Sequence, residues 1–99
     1  MKSNPLNILA KDLLFLSIPF EDVTRGSHAR LVYPDEENVR CSIIFFPSSY
    51  GYEVGKLEIM GLLTPEEKER DSVCGYLSEE EVLKRIYEDW RHFKNEYLH

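Results

Sequence analysis

The stretch from residue 39 to residue 63 constrains the fold most, because its apolar side chains alternate as they do in two β-strands separated by a loop. In its first part, apolar residues recur at every second position, which is the pattern of a strand with one buried face. These residues are Val39, Cys41, Ile43 and Phe45. Ile44 and Phe46 add apolar side chains on the opposite face. We therefore expect a central strand that is covered on both sides near its end.

A loop rich in tyrosine and glycine, residues 48–55, leads from this strand into a second one at 56–62. Gly51 and Gly55 permit the positive φ angles that a tight loop needs. Leu57 and Ile59 then share one face of the second strand.

Three helix-start signals surround these strands. Residues 4–5 combine an asparagine N-cap with a proline at the first helical position, and residues 64–67 repeat this with threonine, proline and two acids. Residues 78–81 form a capping box that begins a long helix reaching residue 97. The side chains of this helix expected in the core are Val82, Ile86, Trp90 and Phe93.

Two further strands, at 28–33 and 73–77, complete the expected sheet, and a turn at 34–38 joins the first of them to the central strand. We therefore predict a single α+β domain over residues 1–99. It should contain an antiparallel meander of about four strands, with an N-terminal helix and a long C-terminal helix packed on the sheet.

Length and composition agree with one ordinary globular domain. The chain has 99 residues, of which 42% are hydrophobic and 30% charged. No apolar run approaches the roughly 20 residues that span a bilayer. The apolar patch at 13–16 follows Lys11 and Asp12 and precedes no small-residue cleavage site. We therefore expect no signal peptide and a cytoplasmic location.

No combination of residues predicts catalysis. Ser48, Ser49 and His28 cannot be paired into a nucleophile and base from the sequence, and the loop at 48–55 lacks the lysine and the following helix of a phosphate-binding loop. Cys41 and Cys74 lie in predicted strands and are expected to be free thiols. The histidines are scattered and no Cys-x-x-Cys is present. We expect no enzyme, no cofactor and no metal.

The charge distribution offers one candidate binding surface. The net charge is −6, and residues 64–81 alone contribute −5, from seven acids against Lys68 and Arg70. This distribution opposes nucleic-acid binding, which needs a basic face, and permits a basic protein partner. The candidate acids are Glu66, Glu67, Glu69 and Asp71. The alternative is that they are an ordinary solvated surface favoured at helix starts.

The loop at 48–55 offers the second candidate surface. Tyr50 and Tyr52 lie beside Glu53 on a flexible, glycine-flanked support. Tyrosines in this setting suit contacts with a protein, because they provide contact area at low entropic cost. The alternative is that one ring covers the edge of the core while the other is solvated.

Several segments, in this order, resemble small proteins encoded by phages and prophages of low-GC Gram-positive bacteria. They are Ser42-Ile43-Ile44, Ser49-Tyr50-Gly51, Gly55, Leu-Glu-Ile-Met-Gly-Leu-Leu-Thr at 57–64 and Gly-Tyr-Leu-Ser-Glu-Glu-Glu-Val at 75–82. The resemblance covers about residues 41–90. That group has no assigned activity, so the resemblance implies no catalytic residue. It implies a small accessory protein that acts inside an infected bacterium.

Two functions remain open. The first is an interaction protein that binds and inhibits a host macromolecule, for example a defence nuclease such as a CRISPR effector, whose basic channel an acidic protein can occupy. The alternative is a module that binds and sequesters a small molecule or nucleotide, which needs a pocket with convergent polar groups. The sequence shows no basic cluster for a phosphate. A homodimer is also permitted, through a free strand edge or the N-terminal helix.

Overall fold

A computed structural model describes residues 4–99 as an antiparallel sheet with helices on one side. The strands are β1 (Glu21–Asp22), β2 (Arg30–Tyr33), β3 (Cys41–Ile44), β4 (Leu57–Met60) and β5 (Cys74–Leu77). The helices are α1 (Pro5–Phe15), α2 (Pro65–Arg70) and α3 (Glu79–Tyr97), with a short 3₁₀ turn at Tyr52–Val54. The five strands follow chain order across the sheet. The predicted α+β meander is confirmed, with five strands rather than four.

The predicted cap residues begin each helix. The Asn4 side chain accepts a hydrogen bond of 2.8 Å from the backbone N–H of Leu6, and Ser78 Oγ accepts one of 3.1 Å from the backbone N–H of Glu81. The predicted capping box at 78–81 is therefore only half formed, because within residues 4–99 the Glu81 carboxylate does not bond the Ser78 N–H. Thr64 and Glu67 form a complete capping box at α2. These bonds satisfy N–H groups that have no partner within a helix, so the cap signals located the starts of α1, α2 and α3.

The core lies between the two long helices and one face of the sheet. The strands bury Leu31, Tyr33, Cys41, Ile43, Leu57 and Ile59, all at most 2% exposed. The helices bury Leu6, Leu9, Leu13, Val82 and Ile86 against them. Strand periodicity therefore assigned Cys41 and Ile43 to the core correctly. Cys41 and Cys74 are free thiols, as predicted.

The burial predicted for Trp90 and Phe93 is wrong, because both side chains are only partly buried. The fully buried residues of α3, Val82 and Ile86, lie in its N-terminal half. In the C-terminal half, Trp90 packs against the core without being fully enclosed. There the rings of Trp90, Phe93 and Tyr97 pack on one another, with Trp90 and Tyr97 centroids 5.7 Å apart.

A network of hydrogen bonds joins α3 to β2 and to Arg40, the residue before β3. Asp89 Oδ2 accepts hydrogen bonds of 2.7 Å from both Tyr33 Oη and Arg40 Nε, and Arg40 Nη2 donates to Asp89 Oδ1 at 2.8 Å. The Arg40 bonds hold the pKa of Asp89 below its usual range. The Arg40 guanidinium also lies 4.0 Å from the centroid of the Phe93 ring, a cation–π contact.

Among residues 4–99, no helix packs on the second face of the sheet. Val32 and Ser42 are nevertheless buried there, but the expectation that the central strand is covered on both sides near its end is wrong. Ile44 and Phe46 point to this face and are partly exposed. Val39, expected on the inner face, precedes β3 and is also exposed. We call this surface the open face.

No helix within residues 4–99 has the length and apolar character needed to cross a membrane.

Candidate functional site

The loop at 48–55 packs against the edge strand β5, backbone against backbone. The Tyr76 N–H donates a hydrogen bond of 3.2 Å to the Tyr50 carbonyl oxygen. A Cβ at Gly75 would overlap Cβ and the carbonyl oxygen of Tyr50. A Cβ at Gly51, where φ is +100°, would lie 3.0 Å from the Tyr76 backbone nitrogen. Only glycines allow so close an approach at these two positions.

A bulge in β5 turns one more tyrosine outwards. Leu57 pairs with Leu77 and Ile59 pairs with Cys74, so three residue steps on β5 face two on β4. Tyr76 takes up the extra step in a left-handed conformation with φ +59°, which is uncommon for a residue other than glycine. Cys74 and Leu77 both pack against the core. The Tyr76 side chain is 58% exposed.

Side-chain hydrogen bonds fasten the same corner. The Tyr50 N–H donates to Glu58 Oε1 at 2.8 Å, and the Tyr76 hydroxyl donates to Glu53 Oε1 at 3.0 Å. The bond to Glu53 raises the pKa of Tyr76. We call Tyr50, Tyr52, Glu53 and Tyr76 the tyrosine corner, a name that refers only to these four residues and not to the motif of β-sandwich domains with the same name. The expectation of a flexible support is wrong, because this loop is bonded to both β4 and β5.

The two tyrosines predicted from the sequence have different surroundings. The Tyr52 ring packs on Phe45 with centroids 4.7 Å apart, so it covers the edge of the core. Tyr50 is 55% exposed. Sequence reasoning missed Tyr76, although Gly75 beside it signalled a bulge or a close backbone approach.

Glu67, predicted as a solvated contact residue, is instead part of the fold. Its carboxylate accepts hydrogen bonds of 2.7 and 2.8 Å from the Arg85 guanidinium, and it also accepts one of 2.9 Å from the Thr64 N–H. The Glu67 and Arg85 side chains are 14% and 15% exposed. The paired guanidinium lowers the pKa of Glu67 to about 2. The prediction of a solvated position is therefore wrong for Glu67.

Glu79 also contributes less negative charge than its sequence position suggests. Its Oε2 atom is buried and has no hydrogen-bond partner within residues 4–99. Burial raises the pKa of Glu79 to about 7, with a further contribution from the neighbouring Asp12 carboxyl. This carboxyl is therefore only partly ionised near neutral pH.

The remaining predicted acids lie on and after α2. Glu66, Glu69 and Asp71 are exposed, and Asp71 Oδ1 accepts a hydrogen bond of 2.6 Å from the Ser72 N–H. Lys68 and Arg70 alternate with them along the chain. With Glu67 paired to Arg85, the exposed charges on and just after α2 are three acids and two bases, a net charge of −1.

The two predicted surfaces do not form one site. The loop at 48–55 leads into β4 at Leu57, whereas α2 follows the other end of β4 beyond Met60. They therefore lie at opposite ends of the hairpin formed by β4 and β5. Tyr50 and Glu53 share one surface, and Glu66 and Glu69 share another.

The open face is the surface that sequence reasoning missed. His28, Arg30 and Val32 alternate onto it from β2 and the turn before it, because Leu31 and Tyr33 face the core. Across the sheet it presents Ser42, Ile44, Phe46, Glu58 and Met60. The alternation of side chains assigns these residues to one face of the sheet, but it does not tell which of the two faces the helices cover.

A further apolar surface lies at the C-terminal end of α1. Phe15 is 87% exposed and Leu14 is 68% exposed, because they follow the last buried residue of the helix, Leu13. The buried stripe of α1 is formed by Leu6, Leu9 and Leu13 and does not include Leu14. A homodimer through the N-terminal helix stays a prediction.

A scan against models of protein families matches no family, and searches of curated proteins and of solved structures find no significant match. The resemblance to phage-encoded proteins therefore stays a prediction. Within residues 4–99, no three histidine, cysteine, aspartate or glutamate side chains are grouped closely enough to hold a metal ion.

Proposed function

We propose that this chain is a non-catalytic protein that binds a larger protein partner through the tyrosine corner. The observation that supports this most strongly is the combination of exposure and fixation at Tyr50 and Tyr76. Both are more than half exposed, yet their backbones are hydrogen-bonded to each other. Rigid aromatic side chains lose little entropy on binding, and tyrosine is enriched among the residues that dominate interface energies.

The acids on and after α2 have a secondary role in this proposal. Glu66, Glu69 and Asp71 are exposed, in a chain whose net charge is −6. Such charges accelerate association with a basic partner more than they add to affinity. Glu67 is left out of this role because Arg85 engages both of its carboxylate oxygens.

The proposed partner is a macromolecule of the host cell, and the proposed outcome is inhibition. This part rests on the resemblance to phage-encoded accessory proteins and on the small size of the chain. A host defence nuclease such as a CRISPR effector fits the charge argument, since a nuclease presents a basic surface to its nucleic acid.

The test begins with capture of the partner from host extract on the immobilised chain, followed by reconstitution from purified components. Hydrogen exchange of the complex should then protect residues 48–55 and the region of Tyr76. The mass of the partner should be unchanged after prolonged incubation, as a non-catalytic role requires. Protection confined to other surfaces, or a covalent change in the partner, would contradict the proposal.

A further inference from the structure

The open face contains two adjoining grooves of about 320 Å³ each. They meet at His28 and Arg30, which line both. The first groove has apolar walls from Ile44, Phe46 and Met60. The second groove also contains Arg25. Each volume falls at the lower end of the range for small-molecule sites.

Two arginine side chains, Arg25 and Arg30, lie at or beside this junction. Arg25 and Arg30 form no ion pair within residues 4–99. Two acids also line the grooves. Glu58 accepts a hydrogen bond from the Tyr50 N–H through Oε1, and Glu36 lines the second groove. These unpaired guanidinium groups give the junction a local positive charge, although the net charge of the chain is −6. Charge complementarity therefore favours an anionic ligand.

Arg30 is held in position for such an anion. Its Nε–H donates a hydrogen bond of 2.9 Å to Ser42 Oγ, which leaves the N–H groups of Nη1 and Nη2 free to form a fork. Ser42 is 9% exposed. No acceptor for its hydroxyl hydrogen is found within residues 4–99, so this hydroxyl can donate a hydrogen bond to a ligand.

The apolar groove beside Arg30 suits a ring. The His28 and Phe46 rings lie with centroids 4.7 Å apart and planes tilted by 56°, and they form one wall. Met60 lines the same groove, and its thioether packs well against aromatic groups. A flat apolar group placed here would have Arg30 and Ser42 at its edge.

We propose that the open face binds a small anion that carries an aromatic ring, of about mononucleotide size. The ring occupies the groove between Phe46 and Met60. Its phosphate or carboxylate lies against Arg30 and Ser42, where the guanidinium provides two parallel hydrogen bonds. This site adjoins the tyrosine corner at Glu58 but uses other side chains, and its existence does not rest on the proposed protein partner.

The test is a titration of isotope-labelled protein followed by amide chemical shifts. The ring-bearing anions used as probes are AMP, GMP, UMP and indole-3-acetate. At least one should give saturable shifts at residues 28–30, 42–46 and 58–60 at millimolar concentration. Adenosine, which lacks the anion, and inorganic phosphate, which lacks the ring, should bind at least about ten-fold more weakly than a matching nucleotide.

Variants link the binding to Arg30. Arg30→Gln should lower the affinity for the bound probe by roughly ten-fold or more, and Ser42→Ala should lower this affinity as well. Arg91→Gln is the matched control, because Arg91 is an exposed arginine on α3 and should bind like the parent protein. Melting temperatures of all three variants show whether they are folded. The proposal is overturned if no ring-bearing anion gives saturable shifts, if the shifts map elsewhere, or if a folded Arg30→Gln protein binds normally.

Discussion

At the residue scale, Glu67 links the start of α2 to α3. It completes the capping box with Thr64 and forms a two-bond ion pair with Arg85. Both side chains of this pair are mostly buried. Removing one partner of such a pair leaves the other charge without compensation, which is more costly than losing an exposed pair.

We therefore predict that Glu67→Lys lowers the free energy of unfolding by roughly 2–4 kcal/mol. Glu69→Lys is the matched control, since Glu69 is exposed in the last turn of the same helix, where the helix dipole does not oppose a lysine, and it should change stability by less than about 0.5 kcal/mol. Urea denaturation of the two variants measures the difference. Equal stabilities would show that the pair with Arg85 does not support the fold.

Glu79 makes stability depend on pH. Its pKa is raised to about 7 in the folded protein, so folding favours the protonated carboxyl. This stabilisation is complete below the ordinary glutamate pKa, about 4.3, and is lost as pH rises through the folded value. Glu79→Gln should therefore gain melting temperature relative to the parent protein between pH 5 and pH 8. A Glu69→Gln control, at an exposed position on α2, should show no such trend, and a pH-independent difference for Glu79→Gln would refute the assignment.

At the element scale, most of the fold was predictable because helix caps and strand alternation are local signals. Strand β1 was not predictable, since its two residues, Glu21 and Asp22, show no alternation of apolar and polar side chains. They form a strand only by pairing with Val32 and Leu31 of β2. The partner of Glu67 was not predictable either, because Arg85 is distant in the chain. The partial burial of Trp90 was not predictable, because periodicity identifies the apolar face of α3 but not how far along the helix that face is enclosed. The tyrosine corner was predicted in part, through Tyr50 and Tyr52.

The contact between the loop at 48–55 and β5 gives a prediction for this element. Gly75→Ala should lower the free energy of unfolding by roughly 1–3 kcal/mol, because its methyl group would overlap Tyr50. Gly55→Asn is the control, since space is open around Gly55 and asparagine tolerates a left-handed conformation. Thermal unfolding compares the two. If Gly75→Ala is no less stable than the control, the loop is not packed tightly on β5.

At the scale of the whole molecule, net charge should govern how fast a basic partner is met. Replacing Glu66 and Glu69 together by lysine should slow association with the partner, and the loss should grow as salt is lowered, because screening weakens at low ionic strength. Stopped-flow association over a range of salt concentrations measures this effect. An association rate that changes neither with these substitutions nor with salt concentration would show that the acids on α2 do not contribute to binding.

The dissociation rate of the partner complex tests the central claim most directly. Tyr50→Ala and Tyr76→Ala should each speed dissociation by at least about ten-fold, with little dependence on salt, because each removes an exposed ring through which the proposed contact is made. Tyr87→Ala is the matched control, since Tyr87 is an exposed tyrosine on α3, and it should dissociate like the parent protein. Parent-like dissociation of folded Tyr50→Ala and Tyr76→Ala proteins would contradict binding through the tyrosine corner.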